Sequence, residues 1–119
     1  MTSTVVFPYT TVNDLAEFSM IAGSDQELVF NVYTSASQAV NLNASTLTWK
    51  LAYYGSGDAV LTKTGIYSGS PINQFSIDLV AGDTSGSSGK FIQQYTIVDF
   101  FGNTFRPSQG IINIAKGVD

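Results

Sequence analysis

The sequence predicts an all-β protein, a two-sheet sandwich of about seven or eight strands (residues 18–119) preceded by an extended arm (residues 1–17). Three observations favour this fold. Apolar and polar residues alternate over several short segments. Turn-forming residues separate these segments about every 8–12 residues. Only 12% of the residues are charged, whereas long surface helices usually carry many Lys, Glu and Arg.

The arm is uncharged and rich in β-branched residues over positions 1–13. Pro8 lacks a backbone N–H, so this segment is not predicted to be a central strand. We expect it either to lie along the domain or to reach a neighbouring molecule.

The predicted strands follow in order at residues 18–20, 27–33, 46–54, 60–63, 74–80, 91–98 and 110–114. Residues 55–58 form a hairpin turn that needs positive φ, residues 81–89 form a loop rich in Gly and Ser, and residues 99–103 form another turn. In the strand over residues 46–54, Tyr53 shares the core-facing side with Trp49. The inward-facing positions predict a core of Leu28, Phe30, Val32, Trp49, Leu51, Phe75, Ile77, Tyr95 and Ile97.

Composition excludes several classes of function. The chain has no His and no Cys, so zinc sites of the His/Cys kind, cysteine nucleophiles, histidine-based triads and disulfides are excluded. Five basic residues and a net charge of −4 argue against nucleic-acid binding. The first basic residue is Lys50, which argues against a signal peptide, and no apolar run is long enough to span a membrane. We expect no cofactor and no bound metal.

Two motifs could suggest chemistry, and both have a structural interpretation. The segment GDTSGSSGK over residues 82–90 departs from phosphate-loop spacing and ends before Phe91 instead of Ser or Thr, so we interpret it as a surface loop. The carboxylates Asp78, Asp83 and Asp99 are dispersed in sequence, and the last two fall at turns where they can bond their own backbone. With no plausible catalytic pair, we expect no enzymatic activity.

Aromatic residues outside the predicted core are candidates for binding. Tyr33 and Tyr54 point away from the core, and Phe100 flanks a turn. Exposed rings on a surface of low charge are typical of protein interfaces and also of sugar-binding platforms. We favour a protein interface, because no cluster of Asp, Asn and Arg accompanies the rings in the sequence. The predicted interface residues are Val5, Val6, Phe7, Tyr9, Tyr33, Tyr54 and Phe100.

The order of features over residues 21–114 resembles a known family. Its anchors are Gly23, the strand with Leu28, Phe30 and Val32, then Leu42, Trp49, Asp83-Thr84, Gly89, Tyr95, Asp99, Gly102 and Gly110. They resemble the immunoglobulin-like N-terminal domain of phage upper baseplate proteins, and also small immunoglobulin-like proteins encoded among phage head and tail genes. The resemblance implies an immunoglobulin-like sandwich.

The same resemblance implies a role in a phage virion. We expect a non-enzymatic structural protein that binds other virion proteins and resides in the virion after assembly in the host cytoplasm. Its partners are expected to be the major capsid protein or tail and baseplate proteins, and it is a possible homo-oligomer. A capsid cement or decoration role is favoured by the short chain, a tail baseplate or fibre adaptor is the alternative, and a carbohydrate-binding adhesin module is the second alternative.

Overall fold

A computed structural model describes residues 2–7, 17–34, 38–105 and 109–117, with the side chains of residues 2–7 and of Thr34 left out. Over these residues the chain forms nine strands and one short helix. The elements are β1 (Thr2–Phe7), β2 (Phe18–Ile21), β3 (Gln26–Thr34), β4 (Thr46–Tyr53), β5 (Ala59–Thr64), β6 (Gln74–Leu79), α1 (Ala81–Thr84), β7 (Gly89–Val98), β8 (Thr104–Phe105) and β9 (Gln109–Ala115).

The strands form two sheets. The smaller sheet has the order β1-β3-β6, with β1 parallel and β6 antiparallel to β3. The larger sheet has the order β2-β9-β7-β4-β5, and β8 pairs with the end of β7. Strand β2 runs parallel to β9, whereas the other pairs in this sheet are antiparallel. The predicted all-β, immunoglobulin-like two-sheet sandwich is confirmed, and its part beyond residue 17 has eight of the described strands.

The core lies between the sheets and contains every residue predicted for it. Phe30 and Phe75 of the smaller sheet stack with their ring centroids 5.0 Å apart. Tyr95 of the larger sheet packs against both rings, at 5.2 and 5.3 Å. This three-ring cluster joins the two sheets. The predicted core residues Leu28, Phe30, Val32, Trp49, Leu51, Phe75, Ile77, Tyr95 and Ile97 are all buried.

One polar contact lies inside this core. The indole Nε1 of Trp49 donates a hydrogen bond to Oε1 of Gln93, at 2.9 Å, and both side chains are fully buried. The Gln93 Nε2 is also buried and has no hydrogen-bond partner among the described residues. A buried indole N–H without a partner is costly. The need of Trp49 for an acceptor therefore explains why a glutamine lies in the core.

A second polar cluster fixes α1 against the rest of the domain. Buried Thr84 accepts a hydrogen bond of 3.0 Å from the backbone N–H of Gly23, and the φ of Gly23 is 79°. Asp83 accepts a hydrogen bond from the Val80 N–H at 2.9 Å and pairs with Lys63 of β5 at 2.8 Å. These bonds, that of Lys63 first, lower the pKa of the Asp83 carboxyl below its usual value. The segment predicted as loop 81–89 therefore begins with an ordered helical turn.

Two features differ in detail from the sequence prediction. Tyr53 shares the core-facing side of β4 but is 47% exposed, because it is the last residue of the strand, where it stacks on Phe91 at 4.5 Å. Part of the predicted arm, Thr2–Phe7, is β1, in register with Val29–Thr34 of β3. Residues 8–16, with Pro8 and Tyr9, lie outside the described residues.

Candidate protein interface at one end of the sandwich

Three connections meet at one end of the sandwich, which we call the apolar end and define as residues 38–45, 71–73 and 99–103 with Tyr33. The backbone of Tyr33 bridges to Ala39. The N–H of Val40 donates to the carbonyl of Val32 at 3.1 Å, and that of Leu42 donates to the carbonyl of Ile72 at 2.9 Å. Buried Leu42 therefore anchors this surface to the core.

The turn after β7 presents two aromatic rings at this end. Oδ1 of Asp99 accepts hydrogen bonds from the N–H groups of Phe101 and Asn103, both at 2.9 Å, and Gly102 takes the positive φ of 83° that the turn needs. The predicted role of Asp99 in bonding its own turn is confirmed. Phe100 is 72% and Phe101 83% exposed, and their rings meet edge to face at 5.4 Å. The turn thus holds apolar surface in water, where a partner would gain by covering it.

A cleft of about 210 Å³ lies next to this turn. Its base includes buried Leu42 and Ile97, and its rim includes both exposed phenylalanines. The cleft is lined by Val40, Asn41, Leu42, Asn43, Ser45, Ile97, Asp99, Phe100 and Phe101. A further exposed apolar side chain, Ile72 at 46%, lies at the same end. The sequence alone did not show that asparagines from one loop lie beside the rings of another.

Charge separates the two ends of the sandwich. Among the residues that define the apolar end, Asp99 is the only side chain charged at neutral pH, and its carboxylate is engaged by its own turn. At the opposite end, where β3 begins and β6 ends, Asp25, Glu27 and Asp78 line an open cleft. Glu27 and Asp78 are cross-strand neighbours, a proximity that the sequence analysis did not predict.

The predicted interface residues are only partly brought together. Phe100 is at the apolar end, and Tyr33 is there too but half-buried. The register of β1 places Val5, Val6 and Phe7 beside Val32, Tyr33 and Thr34, so their backbone also approaches this end. Their side chains and the whole of Tyr9 lie outside the described part of the chain.

Tyr54 is at the other end of the larger sheet. It is 51% exposed and packs under the Lys90 ammonium, which is 4.2 Å from the ring centroid. The prediction did not include Phe101 or Ile72. Phe101 follows Phe100 directly in a turn sequence, which was a usable signal. Ile72 had none, because its position depends on its backbone bond to Leu42 of another connection.

Residues 17–34, 38–105 and 109–117 hold no group of three or more Asp or Glu side chains arranged to hold a metal ion. Within that same part of the chain, no helix is long and apolar enough to cross a bilayer.

Comparisons with known proteins connect the fold to a phage protein. No family model matches the sequence, and no curated protein matches it. Among solved structures, the N-terminal domain of phage TP901-1 ORF48 is similar, with a TM-score of 0.69 over 97% of both chains and 10% sequence identity. Because the sequence identity is low, the match shows a shared fold. It confirms the resemblance to immunoglobulin-like phage domains as a resemblance of fold.

Proposed function

We propose that the protein is a non-enzymatic structural protein of a phage virion, which attaches to other virion proteins through its apolar end. The observation that carries the proposal is the exposure of Phe100 and Phe101 on a hydrogen-bonded turn, at an end of the sandwich whose one charged side chain, Asp99, is bonded to that turn. Each ring gains about 1.5–3 kcal/mol on full burial. Because binding would come from burial of these rings, a partner of matching shape needs no charge opposite to that of the apolar end.

The fold supports the same proposal. The structural neighbour is a phage domain that covers nearly the whole chain, and the sequence resembles upper baseplate N-terminal domains. Many copies on a particle need only modest affinity each, because neighbouring contacts act together.

The proposed attachment through the apolar end is compatible with two locations in the virion. Capsid decoration is the finer role expected from the sequence, and a tail or baseplate adaptor is the alternative. The sequence resemblance to upper baseplate N-terminal domains favours the tail, and the structural neighbour is itself the N-terminal domain of a phage protein. In either place, the major capsid protein or a tail protein is the partner.

Adding purified protein to phage particles that lack it tests the proposal. We expect saturable binding that changes less than about threefold between 50 and 500 mM NaCl, because few charges are available to be screened. Electron microscopy of the decorated particles then assigns capsid or tail. No binding to particles, or binding abolished by 500 mM NaCl, would contradict the proposed mode of attachment.

Carbohydrate binding is a second candidate, favoured by one specific observation. Asn41, Asn43 and Ser45 line the cleft beside Phe100 and Phe101, and amides next to a ring can hold the hydroxyls and the apolar face of a sugar. A glycan array with the intact protein tests this candidate. Glycan binding that Asn43→Ala abolishes, with no binding to particles, would replace the virion role.

The absence of catalysis is part of the proposal. Asp25, Glu27 and Asp78 are exposed at an open cleft, which excludes no water. Purified protein should give no turnover of glycoside, ester or peptide substrates above a blank. Turnover that Asp78→Asn abolishes would overturn this part.

A further inference from the structure

Strand β1, which precedes the rest of the domain in the sequence, covers one edge of β3. Strand β3 has nine residues and contributes Leu28, Phe30 and Val32 to the core. It pairs with β6 on one side and with β1 on the other. Without β1, this long apolar strand would expose a row of unpaired backbone groups, which recruits other strands.

The other sheet edges are limited by features of their own. Strand β2 has four residues. Strand β5 has a register shift in its pairing with β4, and Lys63 lies on it. Strand β6 is bridged at Ser76 by Ile66, whose N–H and carbonyl both bond to it, at 2.8 and 3.0 Å. Bulges, charged residues, short strands and covering loops all discourage strand addition. Strand β1 is the other outer strand of the smaller sheet, and β3 becomes an edge only when β1 leaves it.

The length of the connection from β1 to β2 limits how far β1 can reach from the rest of the domain. Strand β1 ends beside Thr34, whereas β2 begins beside Ile112 in the other sheet. Residues 8–17 join them, and a segment of that length reaches at most about 33–36 Å. The protein measures 45 × 27 × 23 Å. The segment is therefore long enough to cross to a copy packed side by side.

We propose that β1 is exchanged between copies, so that β1 of one molecule pairs with β3 of the next in the assembled array. This rests on the proposed virion role, which supplies the array. Exchange keeps the parallel register and every β1–β3 backbone bond, so the two arrangements differ mainly in the entropy of the connection. High local concentration on a particle favours exchange, and dilution favours pairing within one molecule.

Two single-cysteine variants test the exchange, because the chain has no cysteine of its own. Thr4 and Asn31 are register partners. We mix Thr4→Cys with Asn31→Cys at about 0.5 mM, oxidise the mixture, and quantify the mixed disulfide by mass spectrometry and non-reducing electrophoresis. Thr2→Cys mixed with Asn31→Cys is the control, since residue 2 pairs with Val29 instead. We expect at least tenfold more mixed disulfide from the matched pair.

The double variant Thr4→Cys/Asn31→Cys supplies the second readout. We expect disulfides within one molecule in dilute solution and linked chains of copies at high concentration. Disulfides within one molecule at every concentration, together with equal yields from matched and control mixtures, would overturn the exchange. Fluorescence of buried Trp49 verifies that each variant is folded. Failure of exchange with intact particle binding would leave the proposed virion role standing.

Discussion

The buried bond between Trp49 and Gln93 allows a double-mutant test of the core. Gln93→Leu leaves the indole N–H of Trp49 buried without its acceptor, which costs about 1–3 kcal/mol. The loss of a buried and unpaired Nε2 offsets part of this cost. We expect a net destabilisation of about 1–2 kcal/mol. Adding Trp49→Phe removes the donor, so the double variant should lose less than the sum of the two single losses.

Urea denaturation followed by circular dichroism measures the free energy of unfolding for each variant. Gln94 provides the matched control, because it lies next along β7 and points to the opposite face. Gln94→Leu should change stability by less than about 0.5 kcal/mol. If Gln93→Leu were as stable as the original protein, or the two effects at positions 49 and 93 simply added, the buried hydrogen bond would have no energetic role.

Three further predictions concern single residues. Trp49→Ala should cost about 3–5 kcal/mol or unfold the domain, because the side chain is fully buried. Thermal and urea denaturation measure this loss. Tryptophan fluorescence like that of free tryptophan in the original protein would contradict the assigned register. Asp83→Asn should lower the melting temperature more at pH 7 than at pH 2. The bond to Lys63 lowers the folded pKa of Asp83, so its stabilisation is present above the unfolded value of 3.8 and is lost as pH falls through the folded one. An equal difference at both pH values would refute this. Asp99→Ala should cost about 1–2 kcal/mol by urea denaturation, because the N–H groups of Phe101 and Asn103 lose their acceptor; an unchanged midpoint would show that the carboxylate does not hold the turn.

Much of the fold follows from local patterns in the sequence. The alternation in 27–33, 74–80 and 91–98 placed Phe30, Phe75 and Tyr95 in the core, because the side-chain period of a strand fixes the face once the strand is assigned. Asp99 was also predictable, since Asp before a Gly-containing turn bonds its own backbone.

The candidate site was less predictable, because it depends on pairings between distant segments. The cleft forms where the loop with Asn43 meets the turn with Phe101, and no local pattern brings these segments together. The separation of Tyr54 from Phe100 likewise follows from the register of β4 against β7. An arm lying along the domain was one of two outcomes left open, but the parallel pairing of β1 with β3 was not predicted.

The proposed function makes the apolar end the surface that attaches to the particle. Phe100→Ser/Phe101→Ser removes both exposed rings while leaving the core intact, and Tyr54→Ser removes an exposed ring at the opposite end. Both proteins are titrated onto particles that lack the wild-type protein, after circular dichroism shows that they are folded. We expect at least a tenfold loss of affinity for the double variant and less than a twofold change for Tyr54→Ser. Undiminished binding by the double variant, or a greater loss from Tyr54→Ser, would contradict it.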